Sequence, residues 1–507
     1  HYGKPYDPKV PYHREPFVAD VSEGKNHPIY KAHSYHTKVP HRAIMRYILH
    51  YTEPGDVVFD GFCGTGMTGV AAQLCGDEKE VRELGYRVDT DGTIYNEEGK
   101  VFSKLGARRA VLNDLSPAAT FIAYNYNTPA DVEAFEKEAR RILDEVDAEC
   151  GWMYKTKHTD GKIGYFDYMV WSEVFICSEC GTDVVFLERA LDRENQEVVE
   201  TFTCQSCEAE LKKNKLERSF ETYLDEALDE VMLRAKRVPV LIGYKSGKSK
   251  IERFLDKEDF ATIAKINGLK DADTLANDAF PYEDMWEAPR MRNRGVTHVH
   301  HLFLKRTSIM LSTLFNKILE VKDSRARSFL IYWLDQSLIG FSILNRYRLR
   351  AYSHVNQQMS GVYYIPSQFA EVSPEYNLAG KLKRLPKAFC FKSCVKNFAQ
   401  SCGSSSRLNF SDASLDYVFV DPPFGDNFAY SELNYVVESY LGVKTNARPE
   451  AIVDRGKKNA SSQKSLNDYL TLMRQCFTEA YRVLKPGRWM TVEFSNTKSS
   501  VWNSIQA

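Results

Sequence analysis

The sequence lacks three features that would assign the protein to a class at once. Its 507 residues contain no apolar run long enough to span a bilayer and no secretory signal pattern. They also lack an excess of either charge sign, because 67 basic and 68 acidic residues give a formal net charge of −1. A globally basic field for nucleic acid is therefore excluded, and any such contacts must come from local patches.

Hydrophobic residues make up 43% of the chain and charged residues 27%, the proportions of a soluble globular protein. At this length we expect more than one domain. The 11 cysteines are an odd number without secretory features, which favours a reducing compartment over a disulfide framework. We therefore expect a cytoplasmic protein with no membrane partner.

Two Cys-x-x-Cys pairs form the most specific motif of the chain. Cys177 and Cys180 make the first pair, and Cys204 and Cys207 make the second after 23 intervening residues. This spacing is typical of a zinc ribbon, in which four thiolates close the coordination sphere of a structural Zn²⁺. A catalytic zinc of the deaminase type would need a His-x-Glu partner, and none lies nearby. The motif predicts structural zinc.

A strand, a glycine-rich loop and a helix are predicted in succession near the N-terminus. Residues 57–60 form a short apolar run that ends in Asp60, and Gly64 and Gly66 lie in the loop that follows. This order lets a ligand approach the backbone N–H groups at a helix N-terminus. The two glycines permit close approach or a positive φ. The pattern predicts a ligand-binding loop.

The next core strand is predicted over residues 109–114 and ends in Asp114. An acid at this position is suited to contact ribose hydroxyls. It lies about fifty residues after the glycine loop where roughly twenty is usual. A predicted hairpin over residues 86–102, with its turn at Asp91-Gly92, accounts for the excess. A simple helix cap is the alternative role of Asp114.

Asp421-Pro422-Pro423-Phe424 follows an apolar run over residues 415–420 that is predicted as a buried strand. The carboxyl end of such a strand is where open α/β sheets place their active sites. The prolines stiffen the backbone and remove two N–H donors, which leaves carbonyls as acceptors. A carboxylate, a carbonyl and an aromatic ring suit a planar base that bears an exocyclic amino group. An ordinary turn is the alternative for the motif taken alone.

The remaining segments give weaker predictions. Basic and aromatic clusters between residues 281 and 400 suit a nucleic-acid groove, with solvated helix faces as the alternative. His298, His300 and His301 are expected in a surface turn, with metal binding as the alternative. Residues 243–249 lack the spacing of a phosphate loop and are predicted as a solvated loop. Apolar periodicity predicts amphipathic helices over residues 41–50, 132–146, 216–238, 302–319, 329–344 and 466–484.

Taken together, the glycine loop, the Asp-Pro-Pro-Phe strand and the turn at residues 483–487 resemble the S-adenosylmethionine-dependent amino-methyltransferases of DNA. The run from His36 to Pro40 is similar to the start of that family's cofactor-binding segment. The cysteine ribbon is similar to that of zinc-ribbon-containing adenine-specific methylases, a bacterial subgroup found beside restriction or phage-defence genes. The resemblance covers residues 30–130, 170–220 and 295–507.

The fold implied by the resemblance is α/β, a Rossmann-like methyltransferase sheet with an inserted zinc ribbon and a helical recognition region. Residues 1–130 would hold an N-terminal arm and the cofactor-binding half of the methyltransferase domain. Residues 131–240 would form the zinc-ribbon insertion with flanking helices, and residues 241–400 a mostly helical target-recognition and DNA-binding region. Residues 401–507 would form the catalytic half.

The resemblance also implies roles for individual residues. The methionine moiety of the cofactor would lie against Asp60, Gly64 and Gly66, and its ribose against Asp114. The full set implied for S-adenosylmethionine is Lys38, Pro40, Asp60, Phe62, Gly64, Thr65, Gly66, Asp114 and Asp412. The set implied for holding and stacking the target base is Asp421, Pro422, Pro423 and Phe424.

The activity implied is transfer of a methyl group to N6 of adenine in duplex DNA by base flipping, in a cytoplasmic bacterial or archaeal restriction or phage-defence system. Alternatives are N4-cytosine methylation, methylation of an RNA amine, and an inert DNA-binding subunit. Asp421 favours adenine, because the cytosine enzymes more often carry Ser there. Phe424 stands where Tyr is more frequent. The family's sheet ends in a hairpin, so we expect sequence beyond Ala507 or a partner subunit to supply it.

Overall fold

The computed structural model describes residues 5–270, 276–282, 285, 288–351, 354–355, 358–359, 361–389, 397–426, 428–454, 463–496 and 498–506. The chain divides into two compact units. Unit 1 comprises His1–Glu133 and Arg384–Ala507, and unit 2 comprises Ala134–Lys383. The functional roles given above to four segments stay predictions. Across the ranges just given, no helix is both long enough and apolar enough to cross a bilayer.

The N-terminal part of unit 1 alternates helices and strands. In chain order they are α1 (Pro28–Lys31), α2 (His41–Tyr51), β1 (Val57–Asp60), α3 (Met67–Leu74), α4 (Glu78–Glu83), β2 (Arg87–Val88), β3 (Thr93–Tyr95), β4 (Val101–Lys104), β5 (Arg109–Asp114) and α5 (Pro117–Asn127).

Unit 2 is richer in short strands, and α6 begins at the boundary between the two units. Its elements are α6 (Val132–Cys150), β6 (Lys155–Lys157), β7 (Ile163–Tyr165), β8 (Tyr168–Ile176), β9 (Asp183–Val185), α7 (Phe186–Ala190), β10 (Leu191–Asp192), β11 (Glu197–Val198), β12 (Thr201–Thr203), β13 (Glu210–Lys212), β14 (Glu217–Arg218), β15 (Phe220–Asp225), β16 (Glu230–Ala235), β17 (Arg237–Ser246), β18 (Ser249–Phe254), α8 (Lys257–Asn267), α9 (Ala288–Arg292), α10 (Lys305–Leu319), α11 (Ser324–Phe341), β19 (Gln368–Val372) and α12 (Gly380–Leu382).

The chain then returns to unit 1 for its last elements. These are α13 (Leu385–Ala388), β20 (Phe398–Cys402), β21 (Tyr417–Val420), α14 (Tyr430–Leu433), α15 (Tyr435–Leu441), α16 (Leu466–Val483), β22 (Met490–Val492) and α17 (Ser499–Gln506).

The central sheet of unit 1 has five parallel strands in the order β20-β5-β1-β21-β22. The middle strand β1 is buried along its whole length and pairs with β5 on one side and β21 on the other. The chain order reverses at this point, and open α/β sheets bind ligands outside the carboxyl ends of strands at such a switch point. The mixed α/β fold with a parallel sheet is compatible with a methyltransferase fold.

Apolar burial holds the sheet against α16. Alternating residues of β1 and β21, among them Phe59 and Val418, pack against Ala480 and Val483 of that helix. At the opposite end of the sheet from the carboxyl termini of the strands, Lys485 donates to Asp416 over 2.7 Å with both side chains nearly inaccessible. The carboxyl ends of β1, β5 and β21 are thereby fixed on one packed scaffold.

The sheet of unit 2 is antiparallel and centres on β8. That strand pairs with β17, β19, β9 and β14, and β17 continues through a turn at Gly247 into β18. The solvated loop predicted over residues 243–249 is therefore wrong, because these residues form the ends and turn of a β-hairpin. Between the two cysteine pairs, β9 ends at Val185 and α7 begins at Phe186.

The amphipathic helix predicted over residues 216–238 is also wrong. This stretch forms β14, β15 and β16, and the last two pair from Phe220↔Ala235 to Asp225↔Glu230. Asp229 takes φ = 53° in the turn between them. Residues four apart lie on one face in a strand as well as in a helix, so the apolar spacing did not distinguish the two.

Candidate functional site

A cavity in unit 1 opens at the carboxyl ends of β1, β5 and β21. Seven or more separate stretches of the chain contribute to it, which is the arrangement expected at a switch point of a parallel sheet. Its lining includes Tyr35, Thr37, Lys38, Asp60, Phe62, Cys63, Gly64, Thr65, Thr68, Asp114, Ser116, Gly403, Ser404, Ser405, Asp421, Pro423, Tyr430, Ser431, Thr445 and Glu450.

The loop between β1 and α3 requires glycine at two positions. Gly64 and Gly66 have φ values of +48° and +76°, in the left-handed region that favours glycine. A Cβ atom at Gly66 would also lie 2.7 Å from both the Ala123 Cβ and the Asn127 Nδ2 atoms. Gly64 lines the cavity, whereas Gly66 caps α3 behind it. The loop thus brings its backbone close to any ligand at this edge of the sheet.

Asp60 ends β1 and faces the cavity with both oxygens engaged by the loop. Thr68 Oγ1 donates to Oδ2 over 2.5 Å, and the Phe62 N–H donates to Oδ1 over 3.1 Å. Burial raises the pKa of Asp60 to about 7, although these two hydrogen bonds lower it. The carboxyl group is therefore sensitive to any positive charge that enters the cavity.

Asp114 ends β5 and ties this strand to the glycine loop. Its Oδ2 accepts from the Gly64 N–H over 2.8 Å, and its Oδ1 accepts from the Ser116 N–H over 2.9 Å. Burial raises the pKa of Asp114 to about 6. The N-cap of α5 is Ser116, whose side chain accepts from the Ala119 N–H. Asp114 is thus placed at the cavity and is not itself the helix cap.

Asp421 follows β21 directly and lines the same cavity. Its Oδ1 atom is shielded from solvent, and no group within the described chain donates to it. Burial raises the pKa of Asp421 well above its usual range, with the negative charges of Asp60 and Glu493 acting in the same direction. Thr65 presents a second shielded oxygen at the cavity that lacks a partner among the described residues. Buried polar atoms without partners are rare, and these two line the same cavity.

The three residues after Asp421 are held differently from one another. Tyr469 donates to the Pro423 carbonyl over 2.9 Å, and Asn496 Nδ2 donates to the Phe424 carbonyl over 2.6 Å. Nothing in the described ranges donates to the Pro422 carbonyl, and Pro422 is itself outside the cavity lining. The Phe424 ring packs edge-on against Phe494 with centroids 5.6 Å apart, inside an apolar cluster. Phe424 is thus outside the cavity lining.

An arm that precedes α2 closes one side of the cavity through Lys38. The Lys38 ammonium donates to the carbonyls of Tyr30 and His33 and lies 4.2 Å from the centre of the Tyr30 ring. Burial lowers the pKa of Lys38 to about 7. Pro40, which the resemblance implies as a cofactor residue, is the N-cap of α2 and is outside the cavity lining. Lys38 thus ties together residues 30–38 of the arm beside the cavity.

Two tyrosines that were not predicted as site residues face each other at the cavity. The rings of Tyr35 and Tyr430 lie 6.5 Å apart with an angle of 21° between their planes. The Tyr430 hydroxyl is 3.0 Å from Thr37 Oγ1, and Asn434 Nδ2 donates to the Tyr35 hydroxyl over 3.2 Å. The aromatic residues of the cavity lining therefore include these two tyrosines but not Phe424.

Asp412 was expected to contact the cofactor, but the structure places it outside the cavity. Its side chain is 77% exposed and pairs with Arg482 over 2.6 Å, outside the cavity lining. Residues 403–405, which directly follow β20, line the cavity instead. Asn113 Nδ2 donates to the Gly403 carbonyl and to Ser405 Oγ, each over 2.9 Å. The run of small residues after an edge strand could have indicated this stretch from the sequence.

The four cysteines of the two Cys-x-x-Cys pairs converge in unit 2. The Sγ atoms of Cys177 and Cys207 lie 3.7 Å apart, as do those of Cys180 and Cys204. All four sulfur atoms lie within 4.8 Å of one another. Sulfur atoms at tetrahedral corners around Zn²⁺, at roughly 2.3 Å from the metal, would be about 3.8 Å apart. The donor set and its spacing fit a structural zinc.

Residues 12–98 match the family model described as DNA methylase, of the N6/N4 methyltransferase type. This stretch contains β1, the glycine loop and α3 and ends before Asp114 and Asp421. Comparisons with curated proteins and with solved structures gave no match. S-adenosylmethionine is the cofactor expected for this family, and DNA is the substrate that the family implies. The match supports a DNA amino-methyltransferase.

Proposed function

We propose that the protein transfers a methyl group from S-adenosylmethionine to the N6 amino group of adenine in duplex DNA. The observation that carries this proposal is the shielded Asp421 Oδ1 atom without a partner, in one cavity with the glycine loop, Asp60 and Asp114. The match over residues 12–98 supports the reaction class. Unit 1 would hold both the cofactor and the target base, although its two chain segments are far apart in sequence.

The residues at the cavity suit a cofactor that carries positive charge beside a ribose. When bound, S-adenosylmethionine supplies an electrophilic methyl group on a sulfonium. Gly64 and Thr65 would lie along the methionine part, where Thr65 Oγ1 lacks a partner. Asp114 would accept from ribose hydroxyls, and Asp60 would offset the positive charge. Lys38 would keep the arm closed over this part of the cavity.

Asp421 and the Pro422 carbonyl would hold the target base. Both are acceptors without a donor among the described residues, and an exocyclic amino group offers two hydrogens. Accepting both hydrogens draws the nitrogen lone pair out of conjugation and directs it at the methyl carbon. Positioning and electrostatics then supply most of the rate, so no covalent intermediate is required. Cys63 fits this scheme as a packing residue, since burial raises the pKa of its thiol well above the usual range.

Binding requires the cavity to open. Its free volume is about 90 Å³, below the roughly 300–1,000 Å³ of ordinary ligand sites. The Thr37–Tyr430 hydrogen bond and the stacked Tyr35 and Tyr430 rings are the contacts that would have to separate. Unstacking a base from the duplex costs a few kcal/mol, which contacts in the opened cavity must offset.

Tyr430, and not Phe424, is proposed to stack on the flipped base. We expect Tyr430→Ala to lower kcat/KM for DNA about tenfold to a hundredfold, because stacking of a base on an aromatic ring contributes about 1–3 kcal/mol. Phe424→Ala should instead lower the stability of the fold by about 3 kcal/mol, because the ring packs in a cluster with Phe494. Thermal unfolding and steady-state kinetics on both variants separate the two roles. A stable Phe424→Ala variant with the larger kinetic loss would contradict this assignment.

Cofactor affinity should rise with pH between about 5 and 8. The ordinary pKa of an aspartate is near 4, and burial raises that of Asp114 to about 6 and that of Asp60 to about 7. Below these values the carboxyl groups are protonated, so a cationic ligand must displace protons to bind. The dissociation constant should fall by up to about tenfold per pH unit for each proton displaced and level off above pH 8. Calorimetric titration at a series of pH values between 5 and 8 measures this dissociation constant. Asp114→Asn should reduce its pH dependence at the low-pH end of the range.

Structural zinc in unit 2 is part of the proposal, together with DNA recognition by the same unit. Basic and aromatic residues beyond residue 281 are the proposed contacts, in a restriction or phage-defence setting where further subunits can join. N4-cytosine methylation is the nearest alternative, because the same acceptors fit its amino group. Asp421 favours adenine by resemblance. Methylation of an RNA amine and an inert DNA-binding subunit are the other two alternatives.

Transfer of labelled methyl from S-adenosylmethionine to methylation-deficient genomic DNA tests the proposal. Nucleoside mass spectrometry of the product should show N6-methyladenine. N4-methylcytosine would correct the base, and label found only in RNA would replace DNA as the substrate. No transfer to either nucleic acid, together with no cofactor binding, would overturn the enzyme assignment for this chain.

A further inference from the structure

A second cavity lies wholly within unit 2 and has no role in the proposed reaction. Its volume is about 440 Å³, within the roughly 300–1,000 Å³ of small-molecule sites. The β15–β16 hairpin, the start of α10 and β17 surround it. Residues that line it include Trp171, Tyr223, Asp225, Arg234, Arg237, Ile266, His300, His301, Phe303, Leu304, Lys305, Arg306 and Glu371.

Arg306 is buried at this cavity with unused donors. The residue is only 4% exposed, and its Nε and Nη1 atoms have no acceptor in the described part of the chain. The nearest carboxylate oxygen, Oε1 of Glu371, is 3.7 Å from Nε, too far for a hydrogen bond. Glu371 is already engaged, since Trp171 Nε1 donates to it over 3.0 Å and Thr307 Oγ1 over 3.1 Å.

Arg237 lines the same cavity and is in a similar state. Its Nε and Nη2 atoms are shielded from solvent and lack an acceptor among the residues the structure describes. The carboxylate that could have served, Glu173, accepts from Arg218 Nε and Arg294 Nε, each over 3.0 Å. Two arginines whose guanidinium groups have unused N–H donors therefore line one cavity.

The acidic groups of the lining accept their hydrogen bonds from other residues, although Glu371 also forms an ion pair with Arg306 over 3.7 Å. Asp225 Oδ2 accepts from His300 Nε2 over 2.9 Å and from His301 Nε2 over 2.6 Å. The two histidines are thus packed against a buried acid, and the surface turn predicted for them is wrong. Charged groups are rarely buried without a partner, because desolvation is costly. An anion that enters the cavity would supply the missing acceptors.

The other residues of the cavity lining indicate what kind of ligand would fit beside the phosphate. Trp171 and Phe303 offer aromatic surface, and Ile266 and Leu304 are apolar. Guanidinium groups match the oxygens of phosphate through forked hydrogen bonds. We propose that this cavity binds a phosphate-bearing small molecule of nucleotide size, with its phosphate held by Arg237 and Arg306.

Calorimetric titration of the full chain with adenosine monophosphate, inorganic phosphate and adenosine tests this proposal. We expect the monophosphate to bind at one site and adenosine to bind at least about tenfold more weakly. Arg306→Gln and Arg237→Gln should each weaken binding of the monophosphate by about tenfold or more, because each removes a charge-assisted contact. Arg141→Gln removes the same charge from the exposed face of α6, where Arg141 pairs with Glu138, and should leave binding unchanged.

Inorganic phosphate distinguishes the two sources of the anion. Weaker binding of phosphate than of the monophosphate supports a ligand with an organic body, and equal binding assigns the site to phosphate itself. A rise in the unfolding temperature of the unaltered chain with phosphate would support the site even if a variant does not fold. No binding of either anion at millimolar concentration, or binding unchanged in both variants, would overturn the proposal. Loss of duplex DNA binding in both variants without small-anion binding would assign the arginines to a backbone phosphate instead.

Discussion

Replacement of Asp421 by alanine should lower methyl transfer by about a thousandfold or more while leaving the fold intact. The reason is that an acceptor aligned with the reacting amino group acts mainly on the transition state, where charge develops on the nitrogen. The cofactor contacts proposed for Gly64, Thr65 and Asp114 remain in this variant. Affinity for S-adenosylmethionine should therefore change less than about tenfold.

The stability of the same variant gives an independent readout. Oδ1 of Asp421 is shielded and has no partner, and burial raises the pKa of this group. Removal of such a group should leave the ligand-free unfolding temperature equal or higher, since functional sites often carry groups that cost stability. Asp91→Ala, in the exposed turn between β2 and β3, is the matched control and should retain activity. Full activity of Asp421→Ala would contradict the catalytic role proposed for Asp421.

The sequence was most informative where a motif lies on one continuous element. Short apolar runs indicated β1, β5 and β21, and the glycines between β1 and α3 indicated a loop that only glycine can form. Gly66 shows why, because its left-handed φ and its approach to Ala123 both exclude a side chain. Such constraints act within a few residues, so the local pattern contains them.

The cavity itself was harder to predict, because distant segments complete it. Tyr35 reaches the cavity from an irregular arm, and Glu450 reaches it from a loop. Both carboxylate oxygens of Glu450 accept hydrogen bonds from Ser431. No periodicity indicates where such loops pack. Phe424 was expected to stack on the base from its position in the motif, whereas tertiary packing places its ring beside Phe494 and leaves Tyr430 at the cavity.

The second large effect is expected from loss of the proposed zinc. Apart from β8, which ends directly before Cys177, the strands around the four cysteines are two or three residues long. Their apolar core includes Phe186 and Phe202. Strands this short are not stable on their own. Binding of structural zinc to four thiolates contributes about 10–16 kcal/mol in small domains. The metal would therefore supply most of the stability of this ribbon.

Cys204→Ser should accordingly reduce bound zinc from about one ion per chain to a small fraction and unfold the ribbon. Elemental analysis measures the zinc, and limited proteolysis should show new cleavage within residues 177–212. Cys402→Ser, at an exposed cysteine of unit 1, is the isosteric control and should retain zinc. Because unit 1 has its own core, cofactor affinity should survive Cys204→Ser while DNA methylation falls, which would place the ribbon in DNA recognition. Equal loss of cofactor affinity would instead mean that the two units depend on each other for folding, and unchanged zinc content would contradict the site.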